Sequence, residues 1–265
     1  MKTAADFASK KEYVAYLIKN KGSIITEKKS AVKFADPFGT NPLQQKANKA
    51  LNTSHKDDVA SGQIKRTIIG NTYYWMDSHD DVHVGNCFEK SISDRKDKIW
   101  HLHDHEQKIT SKVGKPESIY EKVVDWADLG VNKAGQTTAL FMDTEIIKEW
   151  NPLVFGEYLS GEINQHSVGM YYVNLALAVN DQAEKEEFAV WNKYIDRIGN
   201  KEKVIEQGYF WAVEEATLVE ISCVLAGSNE LTPTVENRSK EKEKQAEPVK
   251  TECNFYERLA KTFSQ

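Results

Sequence analysis

Residues 101–106 read HLHDHE, so His101, His103 and His105 stand at every second position. On a β-strand, side chains at that spacing share one face. Two chemistries suit such a row. Three imidazoles on one face are a zinc-ligand set. A single imidazole at a strand end can instead be the general base for a serine elsewhere in the fold. QHSVGMYY, residues 165–172, offers Ser167 with Gly169 two places on. The zinc reading lacks further ligands, since His166 is the one histidine beyond the row. Solvated or hydrogen-bonded strand histidines are the simpler account of His101 and His103.

The elements that must position these residues are mostly strands. Residues 64–77, rich in β-branched and aromatic side chains, predict a strand, and 77–86 a turn. FEKSIS predicts a short helix. Residues 98–105, 117–130, 137–143 and 162–180 predict further strands. A helix is expected over 143–161, capped by Asp143 or Thr144 and interrupted at Pro152. Residues 184–207 predict another helix, because Phe188, Trp191, Ile195 and Ile198 recur at helical spacing. Residues 208–229 exceed one flat strand and predict two strands or a bulge. The fold class expected is mainly β with inserted helices (α+β), as a small antiparallel barrel or a curled sheet.

One domain with an extension at each end is expected. Residues 1–63 are a polar, lysine-rich extension with short helices, the first stopped by Gly22, and a linker over 51–63. Residues 64–235 are the compact domain, carrying the helical insertion 184–207. Residues 236–265 are a charged linker and a terminal amphipathic helix, with Phe255, Leu259 and Phe263 on one face.

The bulk composition narrows the function classes. The formal net charge is −5, which argues against nucleic acid as the main partner. No apolar run is long enough to cross a bilayer, and the N-terminus has no secretory pattern. Cys87, Cys223 and Cys253 lack metal or redox spacing, so reduced thiols in a cytosolic compartment are expected.

Four stretches together resemble the tailed-phage prohead protease family, the serine proteases that mature procapsids. IIGNTYYWMDSHDDVHVGNCFEKSI is similar to its opening hairpin, with a D-x-x-x-D-x-x-x-G turn and a short helix. WHLHDHEQKI is similar to its histidine strand, and INQHSVGMYY to its serine strand. ATLVEISCVLAGSNELTPTV is similar to its late strand of pattern L-x-E-x-S-x-V, followed by a small-residue turn with asparagine. The match spans about residues 64–235. NPLVFGEYLSG and GYFWAVEEA resemble the subgroup of Bacteroidetes phages and prophages. HLHDH also approaches the HxHxDH string of metallo-β-lactamase-like hydrolases, one residue short.

The prohead-protease resemblance implies an assemblin-like fold and a serine endopeptidase without metal or cofactor. It implies Ser167 as nucleophile, His105 as base with His103 in reserve, and Glu220 as the third member. A second histidine, His103 or His101, is the alternative third member. His166 is expected on the opposite face. The oxyanion hole is not legible, with amides near Gly169 or after residue 175 as candidates. Implied substrates are the major capsid protein, its scaffold segment and the enzyme itself, inside the assembling procapsid in the host cytoplasm. The portal and a second copy of the chain, as a homodimer, are the further partners implied, with no nucleic acid and no membrane. A non-catalytic assembly or scaffold module with the same fold is the alternative function, and a zinc hydrolase using HLHDH a distant one.

Overall fold

A computed structural model describes residues 2–33, 52–53 and 59–237. Among the described residues nine strands form one mixed sheet: β1 Asn52–Thr53, β2 Gln63–Thr72, β3 Asp81–His83, β4 Trp100–His103, β5 Lys112–Asp125, β6 Gln136–Ile147, β7 His166–Val179, β8 Tyr209–Cys223 and β9 Thr234–Asn237. Their order is β1-β9-β2-β6-β5-β4-β8, with β7 on the other flank of β8. Both β3 and β4 run parallel to β8, at its opposite ends. The sheet curls without closing into a barrel, so of the two expected forms the α+β curled sheet is the one found.

The gap in the curl is bridged by the chain after β8. His166 N–H donates to Thr232 O (3.1 Å) and Ile69 N–H to Pro233 O (3.0 Å), linking the start of β7 to β2. Within the curl the large apolar side chains of β2, β6 and β8 are buried, among them Ile68, Leu140, Phe210 and Ile221, together with Trp126. Burial of that many apolar groups is the main stabilising term.

The helices are α1 Lys10–Lys19, α2 Lys21–Lys29, α3 Glu89–Arg95, α4 Pro152–Ser160, α5 Lys185–Tyr194 and α6 Lys201–Gln207. Ser9 caps α1 by accepting from Glu12 N–H (3.2 Å). Tyr13, Leu17 and Ile24 of α1 and α2 join the main core, so these two short helices of the expected extension pack on the sheet domain. Gly22 does not stop the first helix. The break falls at Asn20, whose side-chain amide donates to Tyr16 O (2.8 Å), and Gly22 lies inside α2.

Other expectations differ in boundary. The strand β6 runs on to Ile147, through the span expected to open a helix, because Asp143 is held by Thr67 and Ser118 from its strand neighbours (2.6 and 2.7 Å). The helix starts at Pro152 in its first turn, where the missing N–H costs nothing. Its cap is Asn151, accepting from Val154 N–H (3.2 Å). The expected helix 184–207 is two helices with Ile195–Arg197 as a 3-10 turn between them. The turn region 77–86 contains β3. Residues 209–223 form one strand, and the excess length is absorbed by shifts in its pairing with β7. The linker and terminal helix expected over 236–265 lie outside the described residues beyond Asn237, as do residues 51 and 54–58 of the linker expected over 51–63.

Candidate functional site

The strand β4 ends at His103, so HLHDH does not run as one strand. Asp104 and His105 both take left-handed backbone angles, φ 52° and 56°. Two such residues in a row are unusual for side chains bearing a Cβ and mark a specified turn. His105 is thereby turned out of line with His101 and His103, which corrects the expectation of one face shared by all three. Among the described residues no group of three or more His, Cys, Asp or Glu is placed to hold a metal ion.

His101 is wholly buried, and His103 is part-exposed at the end of the strand. His103 Nδ1 lies 3.1 Å from Asp104 and its side chain is part-exposed. His101 Nδ1 is 3.2 Å from Thr144 Oγ1, and its Nε2 is 3.0 Å from Tyr158 OH. That phenol is also 2.8 Å from His166 Nε2, and His166 Nδ1 is 2.9 Å from Thr232 O. One proton assignment satisfies the whole chain. Thr144 O–H donates to His101, His101 N–H to Tyr158, Tyr158 O–H to His166, and His166 N–H to Thr232. Both imidazoles are then neutral. Burial lowers His101 well below its ordinary range and lowers His166 to about 4. His101 and His166 are thus structural partners of Tyr158. As expected for a regular strand, His166 points away from the face of Ser167.

The turn that takes His105 out of line brings it over β8. His105 Nδ1 lies 2.5 Å from Glu220 Oε1. The backbone N–H of His105 donates to Ser222 Oγ (3.1 Å), and Ser222 O–H donates to Glu220 Oε2 (2.6 Å). Glu220 is 1 % exposed, so its carboxylate is held by these fixed donors rather than by water. With Nδ1–H engaged by the carboxylate, the imidazole lone pair is at Nε2. Ser222 was not assigned a role from sequence. The signal was its i+2 spacing from Glu220 on a strand, which sets both on one face.

Ser167 lies on the neighbouring strand directly across from Ser222, and Gly169 across from Glu220. Side chains so paired have Cβ atoms roughly 5 Å apart. A Cβ added to Gly169 would meet Glu220 Oε1 at 2.1 Å. The glycine is therefore what lets the carboxylate lie across β7 beside Ser167. So the His105–Glu220 pair sits on β8 across the ladder from Ser167 and Gly169.

Ser167 itself is 4 % exposed. It lines a cavity of about 10 Å³ together with Lys33, Asn71, Asp77, His83 and Asn229, room for roughly one water. The Asn229 amide is fixed at both ends. Its Oδ1 accepts from Leu231 N–H (3.0 Å), and its Nδ2 donates to Thr72 O and to Asn71 Oδ1 (2.7 Å each). That contact orients Asn71 in turn, with Oδ1 toward Asn229 and Nδ2 left without a hydrogen-bond partner. Asn71 is 1 % exposed, and a buried amide donor with nothing to donate to is costly. The backbone of Val168 faces the same side. His166 N–H leaves β7 away from β8, toward Thr232, and alternation turns Val168 N–H the same way. Two donors thus border the cavity beside Ser167.

No family model, curated protein or solved structure was found to match this chain.

Proposed function

We propose that the chain is a serine endopeptidase in which Ser167 is the nucleophile, His105 the general base and Glu220 the residue that orients and charges it. The observation that carries this reading is the His105–Glu220–Ser222 constellation, set against Ser167 by Gly169. Ser167 Oγ would attack a peptide carbonyl while its proton passes to His105 Nε2. The imidazolium so formed is stabilised by the Glu220 carboxylate at Nδ1. His105 would then hand the proton to the departing amine, and water would release the acyl group by the same route reversed. Asn71 Nδ2 and Val168 N–H are the donors placed to meet the developing oxyanion, a large term in such reactions.

The substrates we propose follow from the resemblance to prohead proteases: the major capsid protein, its scaffold-like segment and the chain itself, inside an assembling procapsid. The test is to co-express wild type and Ser167→Ala with the cognate capsid protein and follow intact masses. Shortening of either chain with wild type alone supports the reading. Equal shortening with Ser167→Ala, or none with either, refutes it.

A further inference from the structure

One residue bordering the Ser167 cavity, Lys33, comes from the N-terminal segment. Lys33 forms a two-bond antiparallel bridge with Met170, its N–H donating to Met170 O (2.9 Å) and its C=O accepting from Met170 N–H (3.4 Å). It thereby occupies the edge of β7 not used by β8, three residues past Ser167. An extended backbone added to an exposed strand edge is how many proteins take up a peptide. The bridge at Met170 is one rung of that arrangement, made within the chain.

The Lys33 side chain goes inward. Its ammonium lies 2.6 Å from Asp77 Oδ2 and 2.6 Å from Asp81 Oδ2. Both carboxylates are almost wholly buried. Asp77 Oδ1 already accepts from His79 N–H (2.8 Å) and Asp81 N–H (3.1 Å), so Oδ2 is the oxygen kept for a cation. Asp81 has a second cation, Lys28, at 2.9 Å, and also accepts from the Tyr172 hydroxyl. Two carboxylates therefore meet two ammonium groups, and withdrawing Lys33 alone would leave Asp77 without one. Burial works against charge on Asp77, yet the nearby lysine holds it ionised below the usual range. His83 Nδ1, buried on the wall of the same cavity, has no hydrogen-bond partner. An acidic well, a strand edge and the candidate nucleophile thus meet at one point.

We propose that the Asp77–Asp81 well is the subsite for a lysine side chain of an extended peptide laid along the β7 edge, and that Lys33 is its intramolecular occupant. The proposal rests on the endopeptidase reading for the identity of the site, and it names the substrate class as peptides bearing lysine. It also accounts for the near-complete burial of Ser167, since the occupied edge closes the cavity.

The test uses the full chain in a Ser167→Ala background, so that binding is read apart from hydrolysis. Two capped hexapeptides are titrated, AVKFAD (residues 31–36) and the same peptide with norleucine for lysine. With Lys33→Ala, the lysine peptide should bind about ten-fold or more tighter than the norleucine peptide. The parent with Lys33 in place should bind the lysine peptide about ten-fold or more weaker than the variant does. Equal affinity for the two peptides, or equal affinity of parent and variant, overturns the proposal. Should Lys33→Ala lose its fold, the readout becomes rescue. Butylammonium should then restore the folded circular dichroism spectrum of the variant, and absence of rescue counts against the proposal. Tight lysine-peptide binding in a chain whose Ser167 form hydrolyses nothing would place the failure on the endopeptidase reading, not on the subsite.

Discussion

Gly169→Ala isolates the contact on which the candidate site depends. The added Cβ would lie 2.1 Å from Glu220 Oε1 and 3.0 Å from its Cδ, so the carboxylate must move. It cannot move freely, because it is buried and tied to His105 and Ser222. Overpacking of this kind costs about 1–3 kcal/mol. For a domain of this size that is a fall in Tm of roughly 2–12 °C. The larger effect should be on catalysis. Loss of the carboxylate that orients a triad imidazole lowers kcat by about 10⁴-fold in the best-studied case. Partial displacement should cost roughly 10²–10⁴-fold. The assay pairs peptide hydrolysis with a thermal melt and a proton NMR spectrum, in which the His105 Nδ1–H resonance should vanish or move upfield. Wild-type turnover together with an unchanged imidazole resonance would refute the argument that Gly169 makes room for Glu220.

The remaining predictions concern the groups around the triad. Asn71→Ala should lower kcat by about 10²–10³-fold with little change in KM, as expected of an oxyanion donor; an equal loss expressed in KM alone would contradict that role. Tyr158→Phe strands two buried imidazoles and should cost about 1–3 kcal/mol in urea unfolding, while catalysis by the folded enzyme stays within a few-fold of wild type. The buried histidines also set an acid limit. His83 and His166 are lowered to about 4 from an ordinary 6.5, chiefly by burial, and burial also lowers His101 well below its ordinary range. As pH falls below about 6.5 the unfolded chain takes up protons that the folded chain refuses, so this stability is complete above that pH and is lost down to about 4. Each imidazole contributes up to ~1.4 kcal/mol per pH unit in that window. A Tm series should therefore slope downward across it, and His166→Asn should remove one share of the slope.

The strand inventory was legible because it rests on local pattern. β-Branched and aromatic runs located β2, β5, β7 and β8, and the helical spacing of Phe188 and Trp191 located α5. The errors are places where a long-range contact overrides a local signal. Asp143 and Pro152 suggested a helix start and a kink, but the cross-strand hydroxyls of Thr67 and Ser118 keep residue 143 in β6. In the site, sequence pointed to Ser167, His105 and Glu220, and the fold brings all three to the β7–β8 ladder. The departure of His105 from the line of His101 and His103 was illegible. It depends on two left-handed residues, Asp104 and His105, whose cost is met by the bond from His105 N–H to Ser222, over a hundred residues away. The pairing of Asn71 with Asn229, and of Lys33 with Asp77 and Asp81, is likewise long-range and leaves no local trace.

The central claim is that Ser167 is a nucleophile activated by His105 and Glu220. The most direct measurement is labelling of the full chain by a fluorophosphonate, followed by peptide mapping. We predict a single adduct at Ser167, abolished by Ser167→Ala and slowed by about 10²-fold or more in His105→Ala and Glu220→Gln. An adduct at another residue, no adduct at all, or a Ser167 adduct formed at the wild-type rate in both His105→Ala and Glu220→Gln would contradict it.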